Sequence, residues 1–161
     1  MNSSEVIFLG GIHGVGKTTY CKKNYDDDYS HVTASQLIKM GGEALINENK
    51  KVANIAKNQE ILVKAITAQL KINSKLVIDG HYCLVKENNQ ISIIDKEVFT
   101  DMRITKLVLL ISDPTQISQR INKRDRNIWT VEFISDFQNK EVEQANFIAT
   151  DLNIELLTVR V

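Results

Sequence analysis

The chain has 161 residues, enough for one domain whose core needs neither disulfide nor metal to hold it. Apolar residues make up 43% and charged residues 25%, which excludes a disordered segment and a coiled coil. Twenty basic side chains balance twenty acidic ones; a chain that grips duplex nucleic acid carries a basic excess, so a small-molecule partner is expected and nucleic acid is not.

Residues 5–10 open the chain as a strand that is apolar on both faces, the pattern of a buried parallel strand. The run at residues 6–9 is too short for a signal peptide or a membrane span. Cys21 and Cys83 have neither metal-type spacing nor a disulfide framework, which suits a reduced compartment. A cytoplasmic protein without a membrane partner is the expectation.

A glycine-containing loop follows the first strand, then a helix over 17–25, a polar turn at 26–30 and a short strand at 31–33. Thr33-Ala34-Ser35-Gln36 has the form of a capping box and opens a helix that ends near Gly41 and Gly42. Val52, Ile55, Leu62, Ile66 and Leu70 keep helical spacing and predict a longer helix over 51–71. Gln59 interrupts its apolar stripe, for a structural hydrogen bond or to read an acceptor base. Residues 75–79 form the next buried strand, and 80–95 a hairpin or long excursion. Asp95 opens a short helix to 102. Residues 106–111 are a third strong strand. Asp113 and Pro114 start a helix to about 123, with Asp113 as its cap and Pro114 at the first position. A helix over 131–150 carries Ile134, Phe137, Ala145, Ile148 and Leu152 on one face, and residues 154–159 close as a strand. The alternation predicts a parallel sheet with helices on its faces.

Gly11-Ile12-His13-Gly14-Val15-Gly16-Lys17-Thr18 matches the phosphate-loop pattern at every fixed position. Glycines allow the positive backbone angles that turn successive N–H groups inward as an anion nest. The helix beginning at Lys17 adds its partially positive N-terminus. Lys17 supplies a point charge to the β- and γ-phosphates, and Thr18 offers a hydroxyl to Mg²⁺, an ion that takes oxygen ligands. Thr19 and Val15 complete the expected nucleotide contacts. His13 occupies a free position, as a permissive loop residue or a substrate contact.

Asp79 ends a strand at the edge where open α/β sheets bind ligands and is read as the second metal-side group. His81, two residues on, is either an acceptor contact or base, or a polar residue at a strand exit. No arginine precedes Arg103, yet Arg120, Arg124 and Arg126 fall within seven residues. The guanidinium fork suits phosphate oxygens and the charge that develops in phosphoryl transfer. A basic segment closing over a nucleotide is expected there. Trp129 packs against it or stacks on a base, packing being favoured.

This order of motifs resembles that of nucleoside monophosphate kinases, most closely the archaeal-type adenylate kinases. The resemblance spans nearly the whole chain, although only the phosphate loop is a specific motif. It implies a three-layer P-loop NTPase fold, with a five-stranded parallel sheet, the phosphate-loop strand central and helices on both sides. It also implies a single domain with an acceptor-binding helical region around 34–72 and a short lid around 123–130. The donor would be ATP with Mg²⁺, the acceptor a nucleoside monophosphate such as AMP, and oligomers occur among such enzymes. By position, Lys17 and Arg120 would stabilise the transferring phosphoryl group, and Arg124 and Arg126 would be lid arginines. One departure bears on the acceptor. These kinases grip its phosphate with arginines ahead of the Asp79 strand, where this chain has only lysines such as Lys57 and Lys64. That keeps open a different nucleotide, a nucleoside or a molecule without phosphate. A P-loop ATPase serving as a switch, and a kinase of nucleic-acid 5′ ends, are the alternatives.

Overall fold

The structure, a computed structural model, describes residues 3–25, 28–41, 55–124 and 129–161. Five strands form one parallel sheet: β1 (Glu5–Gly10), β2 (Ser30–Thr33), β3 (Lys75–Gly80), β6 (Lys106–Ile111) and β7 (Glu155–Arg160), in the order β2-β3-β1-β6-β7. Two further strands among the described residues, β4 (Cys83–Val85) and β5 (Ile91–Ile93), pair antiparallel as a hairpin. That resolves the 80–95 stretch. The phosphate-loop strand is central, as the resemblance implied.

Residues alternate along β1 between two apolar cores. Val6 and Phe8 face one, with Leu62 and Ile66 of α3 (Ile55–Ile72), Phe99 of α4 (Lys96–Asp101) and Ile148 of α6 (Val131–Leu152). Ile7 and Leu9 face the other, with Cys21 of α1 (Lys17–Tyr25), Ile117 and Ile121 of α5 (Pro114–Arg124), and the first turns of α6 through Ile134 and Phe137. A strand buried on both faces needs apolar residues at consecutive positions, and that is why it reads as an unbroken run. The result is the three-layer arrangement. Among the described residues no helix is long and apolar enough to cross a membrane.

Local chemistry sets the element ends. The capping box forms reciprocally at α2 (Ala34–Gly41): Thr33 N donates to Gln36 Oε1 at 2.8 Å, and Gln36 N donates to Thr33 Oγ1 at 3.0 Å. Thr115 N donates to Asp113 Oδ1 at 2.8 Å, so Asp113 caps α5. Asp95 holds the cap position of α4 through its backbone carbonyl, which accepts from Val98 N at 3.1 Å, and its side chain makes no cap bond. The expected ends shift by a residue or two: β2 begins at Ser30, α6 runs on to Leu152, and Asn153 closes it at φ 54°. Residues 51–54 of the expected long helix lie outside the described residues, as do the side chains of Lys57 and Gln59.

Candidate active site

The phosphate loop leaves the C-terminal end of β1 at the top of the sheet. Gly14 at φ 85° and Gly16 at φ 109° take backbone conformations that side chains resist. Ile12 and Val15 are fully buried and pin the loop from beneath, with Val15 N donating to Ile12 O at 3.2 Å. Gly14 lies against α5, where a Cβ would come within 2.8 Å of Ile121. The sheet floor is closed by Tyr82, which fills the space a side chain on Gly10 would need. Its hydroxyl donates to Val108 O at 3.0 Å, and its ring stacks on Phe99.

Lys17 folds back over this loop. Its Nζ donates to Gly11 O at 2.8 Å and to Gly80 O at 3.2 Å, and lies 3.6 Å from Asp79 Oδ1. Burial pulls the Lys17 pKa below its ordinary 10.5, against the opposing carboxylates of Asp79 and Glu141. Arg120, one turn from the end of α5, donates from Nη1 to Val15 O at 3.1 Å and to Gly14 O at 3.3 Å. Residues 12–20, Asp79 and Arg120 line a cleft of about 1010 Å³, and Lys23 and Lys123 add positive charge. The expected set His13, Gly14, Val15, Gly16, Lys17, Thr18, Thr19, Asp79 and Arg120 is thus gathered, and Gly11 joins it through Lys17. The side chain of Arg124 and the whole of Arg126 lie outside the described residues.

Thr18 and Asp79 share the cleft and present oxygen donors, and no cluster of three or more His, Cys, Asp or Glu exists among the described residues. Mg²⁺ favours a few protein oxygens completed by water and phosphate. The donor set therefore fits an ion that arrives with a nucleotide, and Thr18 and Asp79 are the residues that would hold it.

Glu141 is the residue the sequence reading missed. It sits in α6 at zero exposure, where its Oε2 accepts from Cys83 N at 2.6 Å. Its Oε1 has no hydrogen-bond partner, nor does His81 Nδ1, and the two lie 4.0 Å apart. Burial pushes the Glu141 pKa up to about 7, partly offset by Lys17. Burial, with Lys17 nearby, holds His81 down to about 3, so its ring is neutral. A signal was present: position 141 falls within the stripe Ile134, Phe137, Ala145, Ile148, where an acid has no apolar reason to be. Gln138 on the same helix clamps the end of β6, exchanging hydrogen bonds with Ser112 N (3.0 Å) and Ser112 O (2.8 Å). Trp129 packs on Phe133 and Phe137, at 5.0 and 5.8 Å between ring centroids. Lys64 is exposed and pairs with Glu60 at 3.2 Å.

A family model described as "AAA domain" matches residues 10–135, which take in the phosphate loop, Asp79 and Arg120. Similar solved structures include a shikimate kinase of Bacteroides thetaiotaomicron, at 17% identity over 96% of this chain and 86% of that one, with a TM-score of 0.51. A sugar kinase of Janibacter sp. matches at 13% identity over 98% and 85%, with a TM-score of 0.54. The tunicamycin resistance protein of Deinococcus radiodurans matches at 15% identity over 94% and 96%, with a TM-score of 0.54. Identities this low speak to the fold alone. No match is found among curated proteins.

Proposed function

The chain belongs to the AAA-domain family, and we propose that it transfers the terminal phosphoryl group of ATP, bound with Mg²⁺, to a small-molecule acceptor. The observation that carries this reading is the convergence of Lys17, Arg120 and Asp79 on one phosphate loop. Arg120 is held there by neutral backbone carbonyls, and Lys17 by two carbonyls with the Asp79 carboxylate 3.6 Å away. Charged phosphate oxygens make stronger hydrogen bonds than carbonyls do, so a triphosphate on the loop amides draws both cations to itself. Lys17 then faces the β- and γ-oxygens, and Arg120 the transferring group. An acceptor oxygen bonds to the γ-phosphorus as the bond to ADP breaks, and the cations balance the charge that moves to the leaving oxygen. Thr18 and Asp79 hold the magnesium ion, which neutralises phosphate charge when bound. Arg124 and Arg126 serve as lid arginines.

The acceptor we favour is a nucleoside monophosphate such as AMP. The order of motifs supports it, with region 34–72 as the acceptor-binding part. The fold neighbours named as shikimate and sugar kinases support a small acceptor in general. The test is incubation with Mg-ATP and a panel of nucleoside monophosphates, with chromatographic separation of products. A new nucleoside diphosphate is expected. Release of ADP at a rate unaffected by every member of the panel would contradict the acceptor and favour a switch-type ATPase.

A further inference from the structure

Cys21 and His31 form a nucleophile–base pair that takes no part in the cleft. Cys21 sits one turn beyond Lys17 on α1, and its Sγ lies 2.9 Å from His31 Nδ1. On the far side of the ring, His31 Nε2 donates to Tyr25 O at 2.6 Å. A carbonyl only accepts hydrogen bonds, so Nε2 carries a hydrogen and Tyr25 fixes the ring. One proton is then left to lie between Nδ1 and Sγ. It sits on sulfur, with Cys21 donating to the Nδ1 lone pair, or on nitrogen, with the imidazolium facing a thiolate. A nucleophile within reach of a base that a third group orients is the arrangement that activates thiols. The pair also spans the surface. Cys21, at 7% exposure, belongs to the buried cluster with Ile7, Leu9 and Val77, whereas His31 is exposed. Beside it stand Tyr20 and Tyr25 of α1, Tyr29, and Glu5 of β1, which accepts from the Tyr29 hydroxyl at 2.6 Å. Burial, then Tyr20, pushes Tyr25 up to about 12, and the bond to Glu5 pushes Tyr29 as far, so both tyrosines stay neutral well above pH 8.

We propose that Cys21 is a modification site: as a thiolate paired with His31 it exchanges with small disulfides, and the mixed disulfide loosens α1 beneath the phosphate loop. In that step the Cys21 sulfur attacks one sulfur of the reagent, the S–S bond breaks, and the leaving thiolate takes the proton that His31 holds. The group added to Sγ has no room in a close-packed cluster, so α1 must give way. Lys17 and Thr18 lie on the first turn of that helix, so nucleotide binding weakens with it. In a reducing compartment such bonds are transient and regulatory. The effect on ATP rests on the phosphoryl-transfer reading, and the activated thiol does not.

Ultraviolet absorbance of the thiolate, taken as wild type minus Cys21→Ser so that the tyrosines and Cys83 cancel, tests the pair with no nucleotide present. The expected midpoint is at or below about pH 7.5, and it moves up by at least about one pH unit in His31→Asn, whose uncharged amide takes the Nδ1 position. A wild-type midpoint above about 7.5, or the same midpoint in both, overturns the proposal, and a hydrogen bond that only braces β2 on α1 would give that result. Dithiodipyridine then converts Cys21 to the mixed disulfide. Calorimetry with Mg-ATP should show binding weakened at least about tenfold and restored by dithiothreitol, with Cys21→Ser unaffected by the same treatment and saturating Mg-ATP protecting Cys21 in turn. A modified chain that binds Mg-ATP as tightly as the unmodified one overturns the proposal. If the unmodified chain binds no Mg-ATP, the phosphoryl-transfer reading fails, and the titration alone decides the thiol.

Discussion

Lys17 makes the sharpest demand on function at the scale of single residues, because a cation at 12% side-chain exposure costs stability unless something calls for it. Lys17→Ala should reduce turnover by about a thousandfold or more while the circular dichroism spectrum stays native. Normal turnover would remove the loop from the mechanism. Arg120→Ala should lower kcat by about 100- to 1,000-fold and change the ATP dissociation constant far less, since its charge matters most as the phosphoryl group moves. An unchanged kcat in steady-state assays would contradict that role. The loop residues were legible because their chemistry is local: eight consecutive positions carry the whole pattern. Asp79 was legible as a carboxylate ending a buried strand. Glu141 showed locally only as an acid within the apolar stripe of α6; its partner Cys83 lies 58 residues away, so the pairing itself was not legible.

Elements repeat the contrast. Buried parallel strands such as residues 106–111 announce themselves by unbroken apolar runs, and caps by short spaced motifs, so both were read to within a residue or two. The hairpin was ambiguous because its strands are three residues each, too short for alternation to register. The capping box offers a direct test: Thr33→Ala removes an acceptor for Gln36 N and should destabilise the protein by about 1 kcal/mol in urea denaturation. No loss would mean that α2 starts without it. Gly14→Ala should be worse, at about 1–3 kcal/mol, because it combines a φ of 85° with a Cβ 2.8 Å from Ile121. It should also weaken ATP binding, since α5 carries Arg120 over the loop. A fully stable variant that binds ATP normally would contradict the close packing of α5 on the loop.

For the whole molecule, alternation of strands and helices was enough to give a parallel sheet, but the order β2-β3-β1-β6-β7 was not in the residue pattern, and the resemblance gave only that the phosphate-loop strand is central. Strand order depends on which crossover packs on which face, and that is decided by contacts among α1, α3, α5 and α6 together. A buried acid at the junction of these layers also ties global stability to pH. The folded-state pKa of Glu141 is raised from 4.5 to about 7, so the folded chain binds this proton more tightly than the unfolded one. Its contribution is fully present below about pH 4.5 and is lost as pH rises to about 7, a change of up to about 3 kcal/mol. Urea midpoints across that range should fall with pH in the wild type and fall less in Glu141→Gln, and parallel profiles would contradict the assignment.

The measurement that bears most directly on the whole account is isothermal titration calorimetry of the intact chain with Mg-ATP, run beside Lys17→Ala. Saturable binding to the wild type, weakened at least about tenfold in the variant, is the predicted result. No heat from any purine or pyrimidine triphosphate at millimolar concentration, with magnesium present, would contradict it.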